Sequence, residues 1–188
     1  MDDSAVPTSA SSPVVLDDRQ IAERLVYLGF VQQDADVLLS LRPWAQRVVG
    51  DFLEQFYDHQ FSHREFVELM EAAGTSRARL VETQRRYVLD LFQGMPDSNY
   101  VQSRQRIGQV HARLKVTPRW YVSSYELYEH YLFPMLRRHL WLRPIKRRRA
   151  VAALSRLLNF DKSIVLDQYA LDVAEGAARY LPDPPQFS

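Results

Sequence analysis

Arg106-Ile107-Gly108-Gln109-Val110-His111-Ala112-Arg113-Leu114-Lys115-Val116-Thr117-Pro118-Arg119-Trp120-Tyr121-Val122-Ser123-Ser124-Tyr125 is the stretch on which the reading of this chain turns. Ile107, Val110, His111 and Leu114 recur at helical spacing, so one side of a helix is apolar with an imidazole set into it. Burying an imidazole unpaired is costly, so His111 needs a partner. A backbone carbonyl in a tightly packed core is one; a metal, for which neutral imidazole is a usual donor, is another. Gly108 lies one turn before Ala112, and two small residues there permit close approach by a flat ligand or a second helix. Thr117 and Pro118 suit a cap and a first turn, so a new helix opens just beyond.

Outward from this stretch almost every segment has helical spacing, without the Asn-Gly or Asp-Gly punctuation of β-hairpins. Asp17 and Asp18 cap a short helix with Ile21, Leu25 and Leu28 on one face, ended by Gly29. Another helix is expected from about 34 to 42. Pro43 then sits in the first turn of a longer one, with Val48, Val49, Phe52, Leu53 and Phe56 on its apolar side and Tyr57 near its end. Phe66, Val67, Leu69 and Met70 form a short helical piece closed by Gly74. Thr75 or Ser76 caps the next helix, through Phe92, in which Leu80, Thr83, Tyr87 and Leu91 align. After a loop over 93–99, Asp97 or Ser98 starts the helix that runs to about Arg113. A long aromatic helix is expected from Pro118 to about Leu142, kinked at Pro134. The last runs from near Pro144 past residue 175, with Leu154, Leu157, Leu158, Asp161, Ile164, Val165, Gln168, Tyr169 and Asp172 in near-heptad order. The expected fold class is all-α, with about eight helices and no internal repeat. Residues 1–16 read as a disordered lead-in, 17–178 as one domain and the proline-rich 179–188 as a linker.

Composition narrows the function. The 188 residues suit one domain, and 24 basic against 23 acidic residues leave a net charge of +1, no reason to expect a nucleic-acid partner. The run Lys146-Arg147-Arg148-Arg149 reads as a solvated face. Without cysteine there are no disulfides, thiolate metal sites or cysteine nucleophiles. No apolar run approaches the roughly 20 residues that span a bilayer, so no membrane partner is expected. The first residues lack the basic start and apolar stretch of a signal peptide, so the expected compartment is the cytoplasm. No acid pair, phosphate loop or nucleophile motif offers catalysis without a cofactor, so the domain itself is not expected to be an enzyme. Aromatic residues make up 12% of the chain against only six glycines, which suits a helical protein with an aromatic cavity or core.

The stretch from Arg106 to Tyr125 resembles the proximal histidine segment of globin-coupled sensors, the haem-binding sensor globins of bacteria. That family shows Arg-Ile-Gly, three positions to a histidine, a Pro-x-Trp-Tyr helix start and a further tyrosine, each matched here by Arg106-Ile107-Gly108, His111, Pro118, Trp120-Tyr121 and Tyr125. Phe92-Gln93-Gly94 and Tyr100 are similar to the family's approach to this helix, and Phe52 to Tyr57 resembles the segment carrying its distal tyrosine. Lys115 and Ser123 depart from the pattern, where glycine is common. The resemblance covers about residues 17–175.

It implies a globin fold with an extra N-terminal helix and no separate D helix, dimerising through its last two long helices. It implies haem b (iron protoporphyrin IX) with His111 as proximal iron ligand and Tyr57 as hydrogen-bond donor to O2, CO and NO being further ligands. Leu80 and Thr83 match positions facing the ligand; the Thr83 hydroxyl either serves the ligand or bonds its own helix. Phe56, Phe61, Phe92, Ile107, Val110, Leu114, Trp120 and Tyr125 are expected pocket walls, and Tyr121 stands beside the proximal ligand. His59, two positions from Tyr57, points to another side. The many rings of 119–142 either enclose the haem or, as the resemblance implies, help form a homodimeric bundle. The implied function is oxygen sensing, relayed to a C-terminal output domain in cis such as a diguanylate cyclase, histidine kinase or chemotaxis transducer. The alternatives are a stand-alone oxygen-binding or oxygen/NO-processing globin using the same His111 and Tyr57, and a haem-free helical interaction module.

Overall fold

Side-chain caps mark several of the helix starts. The computed structural model describes residues 16–114 and 116–178; the stretches expected to be lead-in and linker lie outside these except for Leu16, as does Lys115. Asp17 accepts from the Gln20 backbone while the Gln20 side chain accepts from the Asp17 N–H, a reciprocal cap for α1 (Asp18–Tyr27), and Gly29 follows at φ 68°, where a side chain is disfavoured. Further along come α2 (Gln32–Leu39), α3 (Arg42–Phe61) and α4 (Arg64–Ala72). Ser76 caps α5 (Arg77–Asp90), Asp97 caps α6 (Ser98–Arg113), and Thr117 with Pro118 starts α7 (Pro118–Ser123). Leu16, at the end of the expected lead-in, is buried with the core.

The long aromatic helix is where sequence and structure part. It is broken into α7, a π-helical turn at Tyr128–Leu132, and α8 (Phe133–His139), followed by α9 (Pro144–Ala178). Pro134 stands in the first turn of α8, where its missing N–H costs nothing, and the widened π turn just before it absorbs the register change. The break turns Tyr121, Tyr125, Leu127, Tyr128, Leu132, Phe133 and Leu136 inward, all buried. Of the rings in 119–142, Tyr121, Tyr125, Tyr128 and Phe133 are thus enclosed within the chain, while Trp141 stays exposed.

Three helix pairs frame the molecule: α3 lies against α5, and α9 lies along both α6 and α2. Leu154, Leu157, Ile164 and Val165 form the buried side of α9. Polar clamps fix its partners. Asp34, itself buried, accepts from the Val31 N–H at the start of α2 and from Arg156 of α9 at 3.0 Å, while Arg24 of α1 pairs with Asp167. Where α6 crosses α9, Gly108 lies so close that a Cβ there would stand 2.9 Å from the Cβ of Gln168. Gly108, three positions before His111, therefore admits a helix. Among the described residues no helix is long and apolar enough to cross a membrane.

Two glycine substitutions should act in opposite directions. Gly108→Ala drives a methyl into Gln168, and a steric cost of about 1–3 kcal/mol outweighs the roughly 1 kcal/mol gained from helix propensity. Gly50→Ala, on α3 with only the flexible end of Arg85 nearby, should keep that gain. Urea unfolding midpoints of the two variants and the parent check this.

Candidate functional site

A cavity of about 600 Å³ opens among α3, α4 and α5 and the segment from α6 to the π turn, within the size range of small-molecule and cofactor sites. Helix α3 brings Phe56 and Tyr57 to it, and α5 brings Leu80 and Thr83. Ile107, Val110 and His111 arrive on α6, Leu114 just after it, and Trp120, Tyr121 and Tyr125 from the segment that follows. Residues separated by more than sixty positions in the chain thus share one wall.

His111 is held by its own helix. Its Nδ1 lies 2.8 Å from the Ile107 carbonyl oxygen. A carbonyl only accepts, so Nδ1 carries the proton and Nε2 the lone pair. Burial keeps the imidazole neutral by lowering its pKa, against the smaller opposing pull of the Ile107 bond. Nε2 makes no hydrogen bond with any described residue. The Tyr121 ring meets the imidazole edge-on, centroids 5.2 Å apart at 65°. Both early readings of His111 are present together: the backbone bond, and a donor nitrogen on a cavity wall.

Tyr57 is buried between Phe56 and Phe61, at centroid distances of 5.2 and 6.2 Å, and burial pushes its phenol well above the ordinary range, so it stays protonated. Its hydroxyl has no hydrogen-bond partner among the described residues. The Trp120 indole N–H is likewise buried without one. His59 lies off the cavity, with its Nδ1 3.3 Å from the Tyr131 hydroxyl and its Nε2 3.3 Å from His63.

Thr83 takes one of its two alternatives, and two expectations change. Thr83 lines the cavity, but its hydroxyl donates to the Arg79 carbonyl at 3.0 Å, one turn back on its own helix. Phe61 stands off the cavity wall, packed on the far side of Tyr57 against Phe66 under the Arg77 guanidinium. Phe92 lies in the turn beyond α5, fully buried against Trp44 at 5.9 Å, at the other end of α3 from Tyr57. The cavity also takes in residues the sequence reading left out: Phe66, Leu69 and Met70 of α4, Gln84 and Tyr87 of α5, and Tyr128. Tyr87 continues the Leu80–Thr83 stripe and Tyr128 the Tyr121–Tyr125 stripe, so helical spacing could have found both.

Behind the cavity lies a buried polar network. Asp161 of α9 accepts from the Arg104 Nε at 3.0 Å and the Tyr87 hydroxyl at 2.7 Å on one oxygen, and from the Tyr100 hydroxyl at 2.7 Å on the other. Arg104 also reaches Asp90 at 3.2 Å, and its guanidinium lies over the Tyr87 and Tyr100 rings at 4.2 and 4.0 Å. Tyr87 touches Tyr125 at 3.1 Å, and Tyr125 touches Tyr121 at 2.5 Å. Burial raises the Asp161 pKa, and the Arg104 charge and the Tyr100 and Tyr87 hydroxyls oppose that rise.

Chemically, the cavity offers one uncharged imidazole donor, a phenol and an indole N–H without partners among the described residues, and mostly apolar walls that also include Gln60, Glu65, Gln84 and Arg106. Among the described residues no three His, Asp or Glu side chains gather to hold a metal ion. A metal at His111 must therefore arrive with other ligands of its own, in a chelate that tolerates apolar surroundings.

Comparisons with known proteins bear on the family and the fold. Residues 17–174 match the family model described as Protoglobin. A curated relative, the heme-based aerotactic transducer HemAT of Halobacterium salinarum, is 29% identical over 164 residues, covering 82% of this chain. The chain spans only 33% of that relative's length. The solved globin domain of a Geobacter sulfurreducens globin-coupled sensor superposes with a TM-score of 0.73 at 23% identity, covering 79% of this chain and 96% of that one, a likeness of fold.

The polar network makes a stability prediction. Arg104→Met strands Asp161 without its cation and should lower the unfolding free energy by about 3–5 kcal/mol. The double variant Arg104→Met, Asp161→Leu should be less destabilised than Arg104→Met alone, because no buried charge is left unpaired. Equilibrium urea denaturation of the single and double variants provides the comparison.

Proposed function

The chain belongs to the Protoglobin family, as its resemblance to globin-coupled sensors implied, and we propose that it is a haem-based sensor of diatomic gas, oxygen in the first place. The observation that carries the reading is the pair of unsatisfied groups in one apolar cavity: the Nε2 lone pair of His111 and the hydroxyl of Tyr57. A cavity of about 600 Å³ with a single protein donor suits a flat macrocycle that brings its own equatorial nitrogens. Haem b, when bound, would supply an iron centre able to take a diatomic gas.

The residues then divide the work. His111 would hold the iron through Nε2, with the Ile107 carbonyl fixing its tautomer. Tyr57, kept protonated by burial, donates its hydroxyl to the gas and favours a ligand that gathers negative charge over one that does not. Leu80 narrows the space beside it, and Thr83, bonded to Arg79, contributes its methyl group. Ile107, Val110 and Leu114 exclude water on the histidine side, while Phe56 and Trp120 enclose the remainder.

Gas binding has to be reported elsewhere, and α6 is placed to report it. Gly108, one turn before His111, puts α6 in direct contact with Gln168 of α9, so a shift of the imidazole reaches the last helix without an intermediary. We assign the output to a domain in cis beyond α9, a diguanylate cyclase, histidine kinase or chemotaxis transducer. The relative named as a transducer, of which this chain spans 33%, supports that arrangement. The same reading makes the protein a cytoplasmic homodimer joined through its last helices, where Trp141, Leu142 and Ile145 remain exposed. The domain itself carries out no catalysis.

Absorption spectra of the purified protein test this, oxidised, reduced with dithionite, and reduced under O2 or CO. A Soret band that shifts with redox state and gas is expected, lost or grossly altered in His111→Ala; a colourless protein that takes up no haem overturns the reading. In Tyr57→Phe the band should persist while O2 dissociates at least tenfold faster, as loss of about 1.5 kcal/mol or more from a charge-assisted hydrogen bond requires.

A further inference from the structure

We propose that Asp161 is a positioning residue for His111: through the hydroxyls of Tyr87 and Tyr125, its carboxylate holds the Tyr121 ring edge-on against the imidazole. The inference rests on the haem reading for what His111 does, but the chain of contacts is a property of the protein alone.

The direction of the chain follows from the carboxylate. Asp161 only accepts, so Tyr87 commits its single hydroxyl proton to Oδ2 at 2.7 Å. Towards Tyr125, 3.1 Å away, the Tyr87 oxygen can then only accept, and Tyr125 must donate. Tyr125 in turn can only accept from Tyr121 at 2.5 Å. Every proton points from the cavity towards α9. Tyr121 is left with its hydroxyl committed and its ring fixed at 5.2 Å from the His111 ring. Arg104 fixes the far end, bonding the same Asp161 oxygen at 3.0 Å and lying over the Tyr87 ring. The four links come from α9, α5, the segment after α7, and α7 itself. One carboxylate on the last helix thus sets the orientation of the ring beside the proposed iron ligand.

Tyr100 provides a built-in control. It donates to the other Asp161 oxygen at 2.7 Å, is equally buried beneath the guanidinium, and lies outside the chain to Tyr121. Losing its hydroxyl removes the same kind of bond to the same carboxylate.

Tyr87→Phe, Tyr125→Phe and Tyr100→Phe leave the ion pair intact, and each removes one oxygen. In the dithionite-reduced protein, resonance Raman should show the iron–histidine stretch shifted in Tyr87→Phe and Tyr125→Phe but unmoved in Tyr100→Phe. Aromatic ¹³C relaxation should show faster ring flipping of Tyr121 in the first two variants and not in the third. An unshifted stretch in either chain variant, or an equal shift in Tyr100→Phe, overturns the inference. If the parent protein takes up no haem, the functional reading falls separately, and Tyr121 ring flipping alone then decides whether the chain exists: unchanged flipping in Tyr87→Phe overturns it.

Discussion

Between α6 and α9 a guanidinium and a carboxylate meet out of reach of water, and the surrounding architecture is organised by the need to satisfy them. Arg104 is 1% exposed and Asp161 is fully buried. Desolvating two such charges is expensive, and their attraction offsets that only when the remaining donors and acceptors are also occupied. Here they are: two phenols complete the carboxylate, and Asp90, the Ser103 hydroxyl and the Tyr87 carbonyl complete the guanidinium. The partners come from α5, α6 and α9, so three helices must stand in one register for the pair to be tolerated. A well-packed apolar cluster of the same volume could be as stable, but it would tolerate many registers. The pair therefore contributes definition of geometry more than net stability.

That definition bears on the cavity next door. An apolar chamber bounded by unsatisfied groups is a poor place for a protein to collapse into, and its walls need support from outside. The histidine side of the chamber is backed by α9 through Gly108 and through Tyr169, whose hydroxyl donates to the Val116 carbonyl just beyond α6. The Tyr57 side is backed mainly by aromatic packing, Phe52, Phe56 and Tyr128 in mutual contact, with the Tyr128 hydroxyl accepting from Gln84 of α5. One wall is thus polar-locked to the last helix and the other is mostly aromatic. Such asymmetry suits a site in which one side binds and the other reports.

Much of the layout was legible in the sequence because it is local. Asp17, Ser76, Asp97 and Thr117 announce helix starts by a side chain reaching three residues ahead, and Gly29 and Gly74 mark ends that need a positive φ. The stripe carrying His111 could be read from spacing alone, and its family resemblance identified the partner segment around Tyr57. Phe61 and Phe92 were misplaced for a physical reason: a phenylalanine beside a pocket and one packed behind it have the same chemistry, and only the helix rotation separates them. The π turn at Tyr128–Leu132 was equally hidden, since one extra residue per turn leaves no mark in composition.

The sequence by itself therefore determined that the chain is helical, where its helices begin, and which imidazole and which phenol are set into apolar faces, since all of these depend on residues within a turn or two of one another. Tertiary structure alone decided that Asp161, Tyr87, Tyr125 and Tyr121 form one chain, and that Gly108 before His111 admits α9. Those outcomes depend on contacts between residues up to 74 positions apart. No local rule ranks one such pairing above another until the whole core is packed.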